Sequence, residues 1–138
     1  MSESKADILK QKRILIVDDV STYRVALSSF LEKLGFENID VAEDGNIAWD
    51  KLMEAQGTEP YGLVFSDINM PNCNGIELVK RLKSSEILKS TPIVMVSTEN
   101  ESSMVLDAIS LGAANYIIKP FSAEVLIQKL KEVGKQIL

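Results

Sequence analysis

The sequence predicts an α/β domain in which five parallel strands are covered by helices on both faces. Three observations carry that expectation. Five short apolar runs each end in polar or turn residues, and helical patterning follows every one of them. The runs at 14–17 and 63–65 are apolar throughout, as strands buried on both faces are. The 138 residues, 46% hydrophobic and 25% charged, suit one folded domain with a proper core. Alternation of strand and helix in this way argues for a parallel sheet, because each crossover helix must pack back onto a face.

Residues 1–12 are polar and charged and are expected to form a flexible N-terminal extension, a mobile lead-in or a frayed helical turn. The folded domain is expected to span 13–138. The first strand is read at 13–17. Ser21 and Thr22 offer capping hydroxyls, and Ala26, Leu27, Phe30, Leu31 and Leu34 then recur at helical spacing. Gly35 stands where a left-handed helix end belongs. A second strand is read at 38–41, with Asp44-Gly45 as a turn before a helix at 47–55. Ala48, Leu52 and Ala55 face inward on that helix, with Trp49 on its flank. The third strand ends at Asp67 and is followed by a loop that Pro71 and Gly75 hold in shape. A third helix at 76–82 carries Ile76, Val79 and Leu82 on one stripe. The fourth strand is read at 92–96, and Met104, Val105, Ala108 and Ile109 mark a fourth helix closed by Gly112. The fifth strand, 115–118, leads into Lys119 and Pro120. Val125, Leu126, Leu130, Val133 and Ile137 form a last amphipathic helix.

Composition excludes several functions. A net charge of -5 without a basic patch argues against a nucleic-acid surface. No apolar run approaches the roughly 20 residues that span a bilayer, and the first residues lack the apolar core of a signal peptide, so a cytoplasmic address is expected. One cysteine and no histidine leave no disulfide framework, no ordinary zinc site and no histidine-based triad. Cys73 is expected to be a buried or half-buried thiol without a redox role.

The remaining chemistry gathers at strand ends. Asp18 and Asp19 follow the first strand, Asp67 ends the third, Ser97 lies just beyond the fourth and Lys119 closes the fifth. In doubly wound sheets, ligands bind at the carboxyl ends of the strands, where strand order reverses. Alone, each residue has a plainer role: a helix cap, a turn hydroxyl, a surface lysine. Their common placement at one edge is poorly explained by chance. Three carboxylates held together repel one another, and a divalent metal resolves the conflict. Oxygen ligands favour Mg²⁺, which commonly takes one or two carboxylates and a phosphate oxygen. Beside such a metal, Asp67 could act as nucleophile toward phosphorus. Lys119 would then supply a point charge, and Ser97 a hydroxyl, to the phosphoryl oxygens.

These residues resemble a response regulator receiver domain from about residue 12 to 138, and most closely its stand-alone, chemotaxis-type (CheY-like) members. The motifs are Asp18-Asp19, Asp67-x-x-Met70-Pro71-x-x-x-Gly75, Ser97 and Lys119-Pro120. The resemblance implies a doubly wound (βα)5 sheet of order 2-1-3-4-5, a flavodoxin-like three-layer sandwich. It implies that Asp67 accepts phosphate from a histidine kinase, and that Ser97 and Lys119 bind the phosphoryl oxygens. Asp19, Asp67 and the backbone carbonyl of Asn69 would hold Mg²⁺, with Asp18 acting through water. The Lys119-Pro120 bond is expected to be cis. Tyr116 stands where the family has an aromatic switch that follows the Ser97 hydroxyl, so the output surface would be the fourth helix, fifth strand and last helix. Asn69 and Glu99 would orient the water that removes the phosphoryl group, giving fast decay.

Two features depart from the family. Thr98 replaces a small residue beside Ser97 and is expected to narrow access. The loop at 99–103 is acidic where some motor-binding members carry lysines, which bears on a flagellar motor switch as the protein target. The expected protein is therefore a monomeric phosphorylation switch, with no nucleic-acid or membrane partner, that catalyses only its own phosphorylation and dephosphorylation. An aspartyl-phosphate hydrolase of haloacid-dehalogenase type would carry a D-x-D pattern after the first strand, where this chain has Asp18-Asp19-Val20. A flavodoxin-like mononucleotide binder would need a Ser-, Thr- and Gly-rich first loop, and a receiver fold used only as scaffold would not need the full acidic set.

Overall fold

The strand β1 (Arg13–Val17) runs through the middle of the molecule, with Ile14 to Val17 all buried. Leu15 and Val17 enter one apolar cluster while Ile14 and Ile16 enter another, so neither face of the strand meets water. That is why its sequence is apolar without a break. β2 (Ile39–Ala42), β3 (Tyr61–Asp67), β4 (Ile93–Thr98) and β5 (Asn115–Lys119) complete a parallel sheet in the order β2-β1-β3-β4-β5, as expected. The computed structural model of the chain describes residues 4–138, apart from the side chains of Ala6 and Glu99.

Six helices cover the sheet: α1 (Lys5–Lys10), α2 (Ser21–Lys33), α3 (Gly45–Ala55), α4 (Gly75–Ser84), α5 (Ser102–Leu111) and α6 (Ala123–Ile137). Five of them, α2 to α6, are the helices read from the sequence. On one face Ala48 and Leu52 of α3, Val79 and Leu82 of α4, and Ala108 of α5 meet Leu15, Val64 and Met95. On the other, Leu27 and Leu31 of α2 and Leu126 and Val133 of α6 meet Ile14, Phe65, Val94 and Ile117. At the amino edge, Tyr61 Oη donates to Asp40 at 2.7 Å and Arg13 donates to the same carboxylate through Nε and Nη2, tying β1, β2 and β3.

Several details depart from the sequence reading. Where only a mobile lead-in or frayed turn was expected, α1 packs on the second cluster and Leu9 is fully buried. The helix is too short for its periodicity to stand out among polar neighbours. Ser21 and Thr22 do not cap α2. Its N-cap is Val20, with no side-chain cap bond. The reason lies upstream: Asp18 Oδ1 accepts from Val20 N at 2.9 Å, turning the chain so that Ser21 is already helical. Val125 of the last helix is exposed, and Leu78 joins Val79 and Leu82 in the core, with Ile76 partly buried against the same cluster. β4 extends two residues further than read, so Ser97 lies within it.

The burial of Leu9 generates a test. Leu9→Ala is expected to lower unfolding free energy by about 2–4 kcal/mol, the usual range for emptying a buried leucine site. Urea denaturation measures it. A loss below about 0.5 kcal/mol, typical of surface changes, would mean that α1 adds no packing.

Candidate functional site

The chain leaves β1 for β2 on one side and returns to β3 on the other, so strand order reverses between β1 and β3. A crevice opens there, above the carboxyl ends of the strands. Asp18 emerges from β1, and Asp67 is the last residue of β3. Lys119 closes β5, and its ammonium reaches back across β4 toward both. Its Nζ lies 2.8 Å from Asp18 Oδ2 and 3.4 Å from Asp67 Oδ1. All three are buried, with relative exposures of 4% for Asp18, 6% for Asp67 and 5% for Lys119. Asp67 Oδ1 also accepts from Ile68 N at 2.8 Å.

The loop after Asp67 is held closely against it. Gly75 N donates to Ile68 O at 2.8 Å, and a Cβ on Gly75 would collide with the carbonyl oxygen of Asp67. Only glycine allows α4 to begin this close to the end of β3. Asn72, at φ 67°, turns the loop and donates through Nδ2 to Asp44 at 3.0 Å. Asp44 in turn caps α3 by accepting from Ile47 N at 2.9 Å.

Electrostatically the site is short of positive charge. Carboxylate oxygens of Asp18, Asp19 and Asp67 lie within 4.8 Å of one another. Burial, and then the charge of Asp18, push the Asp67 pKa up to about 6, against the pull of Lys119 and the Ile68 N–H. Burial opposes the Lys119 charge, but the hydrogen bond to Asp18 and the attraction of Asp67 outweigh it and hold its pKa above the ordinary value. Three carboxylates against one ammonium leave two negative charges, which a single divalent cation would neutralise. The oxygen-only set suits Mg²⁺.

Residues 14–131 match the response regulator receiver domain family. The chain belongs to that family. Chemotaxis protein CheY1 of Helicobacter pylori is 40% identical over 121 residues, covering 88% of this chain and 95% of that one. The chemotaxis protein CheY homolog of Campylobacter jejuni is 40% identical over 88% of this chain and 91% of its own. Among solved structures, the chemotaxis response regulator CheY4 of Vibrio cholerae gives a TM-score of 0.76 at 31% identity, covering 89% of this chain and 98% of that one. Among the described residues, no helix is long and apolar enough to cross a membrane.

In this receiver domain Asp18, Asp19, Asp67 and Lys119, read from the sequence as strand-end groups, come together, with Asp19 exposed at the mouth. Ser97 is fully buried, and among the described residues its Oγ has no hydrogen-bond partner. The Lys119-Pro120 bond is cis. Tyr116 lies outward on β5 at 39% exposure, with Lys129 Nζ 4.0 Å from its ring centroid. The side chain of Glu99 lies outside the described residues. The Thr98 hydroxyl and N–H both donate to Glu101. Sequence reasoning missed three residues. The Tyr23 ring covers Lys119 at 3.9 Å, and Arg24 Nη1 donates to the Asp18 carbonyl at 2.7 Å. Glu101 bridges Thr98 to Asn69. The Thr-x-x-Glu spacing of a capping box was the available signal for Glu101; Tyr23 and Arg24 gave none.

A pH dependence follows for the metal-free protein. Asp67 holds its proton more tightly folded, with a pKa of about 6, than unfolded, near 3.8. Between those values the folded state binds more protons at Asp67, so this group's contribution to stability is fullest below the unfolded value and is lost as pH rises through the folded pKa. Asp67→Asn removes that loss. It is expected to stabilise the metal-free protein above the Asp67 pKa, with the advantage shrinking as pH falls toward the unfolded value. Urea titrations on either side of the pKa test this; a pH-independent difference would contradict it.

Proposed function

We propose that this receiver domain is a phosphorylation-controlled switch in which Asp67 takes a phosphoryl group from a phosphohistidine of a histidine kinase. The observation that carries the reading is the Ser97 hydroxyl, buried near the end of β4 with no partner among the described residues. A buried hydroxyl normally has a hydrogen-bond partner, and one that lacks it needs an explanation. A phosphoryl oxygen on Asp67 supplies the missing acceptor.

An oxygen of Asp67 forms a bond to phosphorus as the bond from phosphorus to the donor imidazole nitrogen breaks. The bonding pair leaves with that nitrogen, which takes up a proton. Lys119 is already charged and desolvated beside Asp67, so it can balance the phosphoryl oxygens without reorganising. Mg²⁺ fits the carboxylate set and, when bound, adds positive charge to those same oxygens. Asp19, Asp67 and the carbonyl of Asn69 would hold it. Both Asp18 oxygens already accept from Val20 N and Lys119, which suits contact through water.

Output would run through Ser97. Drawn toward the phosphoryl oxygens, it vacates space that Tyr116 fills, reshaping the α5–β5–α6 surface for a protein target. The names of the relatives favour chemotaxis as the pathway and a flagellar motor switch as the first target to test. The acidic loop at 99–103 would set the preference among such targets. Asn69 and Glu99 would orient the water that ends the signal.

Incubation with a small acyl phosphate and Mg²⁺ is expected to add one phosphoryl group to the wild type and none to Asp67→Asn. Intact-mass spectrometry reads both. Equal labelling of the two proteins would contradict the assignment.

A further inference from the structure

Glu101 is a buried carboxylate, 8% exposed, and no cation pairs with it among the described residues. Such a group is costly unless its oxygens accept hydrogen bonds. Oε1 accepts from Thr98 N at 2.8 Å and from Thr98 Oγ1 at 3.0 Å, the local capping of the turn at Glu99–Glu101. Capping uses that oxygen alone. Oε2 accepts instead from Nδ2 of Asn69, 32 residues away on the loop after β3. A carboxylate only accepts, so the amide nitrogen of Asn69 must face it and the amide oxygen must face elsewhere. Among the described residues that oxygen has no partner. One side chain thus joins the loops that follow β3 and β4, the two strands carrying Asp67 and Ser97.

We propose that Glu101 is a positioning residue for loss of the phosphoryl group: by holding the Asn69 NH₂, it turns the amide oxygen toward the water that attacks phosphorus. The inference rests on the reading of Asp67 as phosphoacceptor and of Asn69 as a water-orienting group. In the hydrolytic step the water oxygen bonds to phosphorus as the bond to the Asp67 oxygen breaks. The electron pair returns to Asp67, and the water protons leave with the phosphate and the solvent. Asn69 Oδ1 accepts a hydrogen bond from the water and takes no proton. A water oriented by an acceptor presents its lone pair to phosphorus; one oriented by a donor does not.

Glu101→Gln keeps the size and an acceptor for the Thr98 N–H but can present an NH₂ group to Asn69, favouring the opposite orientation of the Asn69 amide. Decay of the phosphorylated protein would be followed with Mg²⁺ for wild type, Glu101→Gln, Asn69→Ala and the double variant. Glu101→Gln is expected to slow decay by roughly three- to tenfold, the effect of one oriented hydrogen bond. It is expected to add nothing in the Asn69→Ala background. A structural cap alone would act equally in both backgrounds, and that result would overturn the inference. Unchanged or faster decay in Glu101→Gln, or unchanged decay in Asn69→Ala, would also overturn it. A second readout is the Asn69 side-chain NH₂ resonance of the unphosphorylated protein, which should shift in Glu101→Gln; an unmoved resonance counts against the contact. Labelling that survives Asp67→Asn would instead remove the acceptor reading beneath the inference, and the inference with it.

Discussion

The ammonium of Lys119, held between the carboxylates of Asp18 and Asp67, is the contact on which the carboxyl edge of the sheet depends. It joins the ends of β1, β3 and β5, strands that are not neighbours except for the first pair. Burying three charges is unfavourable unless each finds a partner. Here the partners are shared: Lys119 serves two carboxylates, and backbone N–H groups of Val20 and Ile68 serve the rest. The arrangement still leaves negative charge in excess. Burial and that excess together raise the Asp67 pKa, and the excess invites a divalent cation and leaves the resting site electrostatically incomplete.

The surroundings of the site are tied together by close contacts. Gly75 lets α4 start against the Asp67 backbone, and Asn72 and Asp44 tie the intervening loop to α3. Glu101 fastens the loop after β4 to Asn69. In the proposed switch the responding part is small: the Ser97 hydroxyl, buried with no partner among the described residues, and the Tyr116 ring, lying outward beside Lys129. A switch needs this contrast, since a charge added at Asp67 can bias a discrete element only if the rest does not yield.

The sheet was legible because its three central strands, β1, β3 and β4, bury both faces, so apolar runs such as 14–17 stand out without any alternation to decode. Asp18, Asp67 and Lys119 were legible because each ends such a run, and the topology brings those ends together. Glu101 and Tyr23 were less so. Their roles depend on side chains reaching across 32 residues and across to β5, distances that no local pattern encodes. Leu9 was hidden in a six-residue helix whose neighbours are mostly polar. The cap of α2 was misread because a hydroxyl at Ser21 is a good cap in isolation, while Asp18 had already taken the turn.

The central claim is that phosphorylation at Asp67 is transmitted through Ser97 to Tyr116, rather than absorbed at the site. Amide hydrogen exchange with and without a stable phosphoryl mimic, in the presence of Mg²⁺, tests it most directly. Exchange is predicted to change at residues 97–108 and at Tyr116, on the α5–β5–α6 surface. Changes confined to the residues beside Asp67 would contradict the account.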